Sequence, residues 1–345
     1  MICALDATYS LGDELSGVGV YSRELLFGLA AAHPEAGFRF CYRPHRFWRA
    51  LRAPLPRNAA RRLLAEPLGP RRADLFHGLN QRLPHIPLRR AVATFHDLFV
   101  MTGEYSTPEF RARFTAQARD AAARADAIIA VSEFTRRQAI ELLGFPAERV
   151  FTVHHGSSPV AQEPTPPQAR EKLVLNVGAI QKRKNIARLV EAFEGLPADW
   201  RLVLAGAAGY GAGEILERIE NSPARARISL PGYVPAAELG ALYARAAIFA
   251  FPSLDEGFGM PVLDAMAAGV PVVSSRRSAL PEVAGDAAIL VDPEDTAGLA
   301  AALQRLSIEG DLRLELARRG VARAKLFTWE KAVRETWDVY RTLCG

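Results

Sequence analysis

Between Ile248 and Val273 the chain reads IFAFPSLDEGFGMPVLDAMAAGVPVV, an order of apolar run, glycine loop, helix and second apolar run that few folds accommodate. Ile248 to Phe251 is short enough for a buried strand, Pro252 ends it, and Asp255, Glu256, Gly257 and Gly259 form a loop. Pro261 suits a first helical turn, where its missing N–H has no partner to lose. Asp264 is expected within that turn, and Gly269 stops the helix before the next strand. In open α/β sheets, ligands sit in the loops at the carboxyl ends of parallel strands, facing helix N-termini. Glu256 and Asp264, eight positions apart, can then face different parts of one ligand. A solvated loop acid and a charge at the positive end of a helix give the same pattern. Gly257 and Gly259 flank Phe258 and permit close backbone approach, which a plain connection does not need.

The string EGFGMPVLDAMAAGVPVVSS resembles the signature of the retaining, family 4 (group 1) glycosyltransferases, in which an acid, seven residues and a second acid hold the donor sugar and its ribose. The resemblance places Glu256 on the sugar and Asp264 on the ribose, with Gly257, Phe258, Gly259 and Met260 in the same donor site. The family usually carries Glu as the second acid. Asp264 is one methylene shorter and has less reach to a ribose hydroxyl.

Other segments carry the same resemblance. ICALDATYS reads as a strand running into a loop, and Gly17 and Gly19 are expected just before a helix, where bare N–H groups can meet a phosphate. AVATFHDLF gives a strand Ala91 to Phe95 ending at His96 and Asp97. A lone histidine at a strand end is commonly structural, but the His-Asp pair resembles the family's donor-contacting histidine. A helix Pro108 to Arg124 follows, then a strand Ala127 to Val131 with Ser132 as a helix cap, included here among the donor-site residues. LVLNVGAIQKRKNIARLVEAF gives a strand Leu173 to Val177 and a loop carrying Gly178, Arg183, Lys184 and Asn185. Arg forks two phosphate oxygens and Lys supplies a compact charge, so the pair suits a diphosphate and resembles the family's diphosphate-binding pair. Gly232, Tyr233 and Val234 match the family's turn beside the nucleobase, although an ordinary turn would look the same.

The chain has 345 residues, 49% of them hydrophobic, enough for two cores. The resemblance implies an α/β fold of GT-B architecture: two Rossmann-like, doubly wound domains facing a central cleft. The expected acceptor-side domain is 1–160, with a proline-rich linker from His154 to Gln168. The donor-nucleotide domain is expected over 169–326, and a final helix over 327–345 packs back on the first domain. Trp329, Val333, Trp337 and Tyr340 recur at helical spacing as packing residues. Three cysteines without metal or disulfide spacing favour a reducing compartment. No signal peptide and no apolar run of roughly 20 residues is evident, which predicts a cytoplasmic protein.

The net charge of +5 is unevenly spread: Arg39 to Arg90 holds 13 arginines against Glu66 and Asp74, a net of +11. Phe47, Trp48 and Leu51 lie among Arg46, Arg49 and Arg52, which suits an interfacial helix on an anionic inner-membrane surface. A solvated arginine-rich face is the alternative. No nucleic-acid module accompanies the patch.

The implied activity is transfer of a sugar, mannose among the candidates, from a GDP- or UDP-linked donor to a saccharide or lipid-linked acceptor, with retention. No metal-binding Asp-any-Asp triplet occurs, and no cofactor or metal is expected. Arg183 and Lys184 then stabilise the departing diphosphate, and Glu256 and His96 hold the sugar. A GT-B epimerase or phosphorylase and a non-catalytic nucleotide-sugar binder are the competing readings.

Overall fold

The computed structural model describes residues 1–66, 69–70, 72–157, 166 and 169–345. Most of the expected linker, and Arg71 of the basic segment, lie outside the described residues. The chain folds as two units: Met1–Gly103 with Pro108–Gly156 and Thr328–Gly345, and Ser157–Phe327 with Glu104–Thr107. His155 and Gly156, at the start of the expected linker, belong to the first unit.

The strands of the first unit are β1 (Ile2–Asp6), β2 (Gly37–Tyr42), β3 (Ala59–Leu63), β4 (Leu75–Gly78), β5 (Ala91–Phe95), β6 (Ala127–Ala130) and β7 (Val150–Thr152). They form a parallel sheet in the order β3-β2-β1-β4-β5-β6-β7, and the order reverses direction between β1 and β4. β5 is buried along its whole length, so both faces of the sheet are covered there. Ser16 caps the helix Gly17–Ala32 by accepting the Gly19 N–H at 3.3 Å. Gly17 and Gly19 therefore lie inside the first turn rather than before it. Gly19 serves packing, because a Cβ there would stand 2.9 Å from the Tyr9 carbonyl oxygen.

The basic segment contributes β3, β4 and most of β2, and many of its arginines hold this unit together. Arg61 donates to the carbonyls of Ala50 and Ala53 at the end of the helix Pro44–Ala50. Arg43 lies 3.6 Å from Asp6, Arg82 donates to Gln117, and Arg89 pairs with Asp74. Arg49 and Arg52 are exposed, beside Trp48 at 78% and Leu51 at 49%, whereas Arg46 and Phe47 are half-buried.

The second unit contains β8 (Glu171–Val177), β9 (Arg201–Ala205), β10 (Ile228–Gly232), β11 (Ala246–Phe251), β12 (Val272–Ser275) and β13 (Ala288–Val291). These strands are parallel in the order β10-β9-β8-β11-β12-β13, which reverses between β8 and β11. Pairing of β8 with β11 shifts register between Ala246 and Ile248, and farther along the buried Asn176 amide of β8 donates to the Ala250 carbonyl of β11 at 2.8 Å. The core gathers Val174, Leu189, Phe193, Leu202, Ile248 and Leu303.

Candidate active site

The reversal between β8 and β11 decides what the second unit can bind. Crossover connections leave these two strands in opposite directions, which opens a crevice at their carboxyl ends. The segment after β8 carries Gly178, Arg183 and Lys184, and the segment after β11 carries Glu256. The loop expected to carry Arg183 and Lys184 holds them buried. They occupy the 3-10 turn Lys182–Lys184, each 9% exposed. Lys184 Nζ lies 2.6 Å from Glu256 Oε1 and 4.7 Å above the Phe251 ring, and Arg183 Nη1 lies 3.1 Å from Glu256 Oε2. Arg183 also donates to the Asp255 carbonyl, and Ser253 Oγ to Glu256 Oε1. Burial pushes the Glu256 carboxyl up. The charges of Arg183 and Lys184, with bonds from Lys184 and Ser253, overcome that and hold it at about 2. One carboxylate thus stands ionised between two buried cations.

Backbone features fix this centre. Gly178 has φ +147, with a Cβ position 3.3 Å from Lys184 Cε. Asn185 adopts a left-handed φ of +58, and its amide is engaged by the carbonyls of Pro252 and Pro293 at 3.0 and 2.6 Å, with Arg188 on its Oδ1. The Asn185 side chain therefore ties loops together. Ser278, also left-handed at φ +56, accepts the Glu256 N–H at 3.0 Å. Gly259 has φ +115 and precedes the helix Met260–Ala267, so Asp264 falls in the second turn, not the first. The helix already begins at Met260, ahead of Pro261, which carries Asp264 past its first turn. Gly257 and Phe258 are buried, and Phe258 packs on Phe327 with ring centroids 5.9 Å apart. Asp264 lies near Tyr243, whose hydroxyl burial raises well above the usual value, with Asp264 adding to the effect. Gly232 ends the edge strand β10 at φ +74, and Tyr233 after it is 42% exposed while Val234 is half-buried.

Four contributors escaped the sequence reading. Ser253, Ser278 and Asn176 look like ordinary polar residues until the fold is known. Tyr105 comes from a segment sited with the second unit, and burial raises its phenol, with Asp255 adding to this and Arg277 and Arg183 opposing it. Among the described residues no group of three or more His, Cys, Asp or Glu is placed to hold a metal ion.

In the first unit, His96 follows β5 and lies half-buried. Its Nε2 is 2.9 Å from the Leu79 carbonyl oxygen, which can only accept, so Nε2 carries the proton. Burial lowers His96 to about 4 against the favourable pull of that carbonyl, which leaves a neutral ring with an acceptor lone pair on Nδ1. Ser132 is fully buried as a helix cap, its Oγ accepting the Thr135 N–H at 3.0 Å.

The fold is that of the GT-B glycosyltransferases. Sucrose-phosphate synthase from Thermosynechococcus elongatus superposes with a TM-score of 0.78 over 99% of this chain and 98% of that one, at 22% identity. Anabaena Alr3699/HepE in complex with UDP and glucose superposes at 0.74 over 99% of both chains, at 18% identity. Residues 15–159 match the Glycosyltransferase Family 4 model and residues 159–323 the Glycosyl transferases group 1 model. The chain belongs to this family of glycosyltransferases and acts in sugar transfer for glycan synthesis. It is 36% identical over 285 residues to O-antigen chain mannosyltransferase B of Escherichia coli, covering 78% of this chain and 74% of that one. Membership disfavours a non-catalytic binder. No helix among the described residues is long and apolar enough to cross a membrane.

Proposed function

We propose that the protein moves mannose from a GDP- or UDP-linked donor to a saccharide or lipid-linked acceptor, with retention and without a metal ion or cofactor. The observation that carries this reading is the pair Arg183 and Lys184 closed around Glu256 at the β8/β11 crevice. The bond from the anomeric carbon to the diphosphate breaks, and the two prepositioned cations take up the charge developing on the leaving oxygens. The acceptor oxygen bonds to the same face of that carbon, and its proton passes to a donor phosphate oxygen. Glu256 orients the sugar, and the lone pair of His96 Nδ1 receives a sugar hydroxyl. Asp264 takes the ribose, and Gly232, Tyr233 and Val234 flank the base. Mannose is favoured by the name of the relative at 36% identity.

A panel of GDP- and UDP-sugars, assayed with EDTA and an oligosaccharide acceptor, tests the reading. Turnover of GDP-mannose or a UDP-sugar in chelator, with product of the donor's own anomeric configuration, is expected. Loss of activity in EDTA that Mg²⁺ restores, or inverted product, overturns the corresponding part.

The reading also places the enzyme in the cytoplasm, peripherally at the inner membrane, with no nucleic acid as partner. Since Arg61, Arg82 and Arg89 serve the fold, the attachment falls to Arg46, Arg49 and Arg52 with Trp48 and Leu51. A surface arginine near an anionic bilayer contributes about 1 kcal/mol. Flotation with phosphatidylglycerol vesicles is expected at low salt and lost at high salt. Arg46→Glu, Arg49→Glu and Arg52→Glu together should abolish it, and a wild type that stays unbound at low salt leaves a solvated face.

A further inference from the structure

His96 does not hold its orientation alone. The Tyr21 ring, from the helix Gly17–Ala32, stands edge-on to His96 and to His155, at centroid distances of 4.8 and 4.9 Å and 83° to each. His155 stacks on His96, with 5° between the ring planes and centroids 5.5 Å apart. Trp329 packs on His155 with ring centroids 5.8 Å apart, and on Tyr21 at 6.3 Å. Next to it, a Cβ on Gly156 would come within 2.3 Å of the Trp329 backbone nitrogen, so the chain carrying His155 runs hard against the start of the final helix.

Tyr21 is itself anchored. Its hydroxyl meets Thr94 Oγ1 at 2.9 Å, which meets His77 Nε2 at 2.7 Å, and His77 Nδ1 meets the Tyr340 hydroxyl at 2.6 Å. These residues are all nearly or fully buried. An imidazole held by one hydrogen bond, to the Leu79 carbonyl, can still rotate out of that bond, and the bond is also what keeps its proton on Nε2. Two aromatic surfaces at right angles, one against its edge and one along its face, remove that freedom.

We infer that His155 and Tyr21 are positioning residues for His96, fixing the direction in which its Nδ1 lone pair meets the donor sugar. This rests on the reading of His96 as a donor contact. A lone pair turned away by even a small rotation loses the sugar hydroxyl, and misplacements of about 1 Å commonly cost ~100-fold in rate.

Steady-state turnover of GDP-mannose by His96→Ala, His155→Ala, His155→Phe and the His96→Ala/His155→Ala double variant tests the inference. Imidazole ¹⁵N spectra accompany the kinetics as a readout of the His96 tautomer. His155→Ala should lower kcat by ~10- to 100-fold with the donor KM changed less than ~3-fold, and the double variant should be no worse than His96→Ala. Phenylalanine keeps the face, so His155→Phe should recover most of the loss. In His155→Ala the single Nε2-protonated form of His96 should give way to a mixture, a change that loss of packing elsewhere does not produce. An inactive His96→Ala beside a His155→Ala of wild-type kcat, or additive losses in the double variant, overturns the inference alone. A fully active His96→Ala overturns the donor-contact reading and the inference with it.

Discussion

Glu256 shares its two oxygens between Lys184 and Arg183, so any change to one of the three alters the charge of a closed pocket. Lys184→Ala leaves Arg183 and Ser253 on the carboxylate, and the residual imbalance should cost about 1–3 kcal/mol of stability. Turnover should fall further, by ~100-fold or more, since the lost charge matters most as the diphosphate departs. Thermal melting beside kinetics checks both numbers, and activity within a few-fold of wild type would remove Lys184 from the mechanism. Asp264→Glu should leave nucleotide affinity unchanged or tighter, measured by calorimetry. A large loss means the space beside Tyr243 is built for the shorter acid. Arg183, Lys184 and Glu256 were legible because their types and spacing carry the family pattern. Their mutual burial was not, because the contact spans 72 residues of chain and depends on which strands become neighbours.

Elements with a clear apolar run, or a long run of helix-forming Ala and Arg, were equally legible. The helix Pro108–Arg124 and the strand Ala91–Phe95 lie where the sequence placed them. β3, with the sequence AARRL, was hidden because its arginines read as a solvated surface, whereas Arg61 turns back to close a helix end. β7 spans three residues, too few for any period to register. Pro261 lies in the first turn of the helix Met260–Ala267 as expected, but the helix starts one residue ahead of it, which moves Asp264 into the second turn, and Gly259 sets that boundary. A Cβ there would meet Leu280 Cδ2 at 2.7 Å, at a φ of +115 that alanine resists. Gly259→Ala should therefore destabilise the protein by more than ~1 kcal/mol and loosen donor binding by displacing the helix from Glu256. Denaturant melts with and without GDP-mannose measure the two effects, and an unchanged midpoint would show that the loop relaxes freely.

For the molecule as a whole, acid is the condition it should tolerate least. Burial holds His77 down at about 3, His96 at about 4, and His155 well below the usual value, with the neighbouring histidine charges adding to this for His77 and His155. Below about pH 6.5 the unfolded chain takes up protons that these folded rings refuse, so stability falls as pH drops toward 4. Each such ring contributes up to ~1.4 kcal/mol per pH unit across that window. Glu256, held at about 2, adds its own loss below about 4.5 as the unfolded carboxyl protonates and the folded one does not. Denaturant midpoints at successive pH values check this. A flat profile from pH 7 to 5 would mean the three histidines gain protons without unfolding.

The hydrogen bond between His77 and Tyr340 spans 263 residues, and this predicts an order of events during synthesis. On a ribosome, the stretch of the second unit through Phe327 emerges before the helix Trp329–Cys344. The first unit, though begun earliest, waits for that helix to stack Trp337 on His33 and to seat Val333 against Gly28. A released chain truncated after Phe327 should thus carry a protease-resistant second half behind a digestible first half. On this expectation the unit that starts first is finished last, and until the helix arrives its apolar face stays open to chaperones.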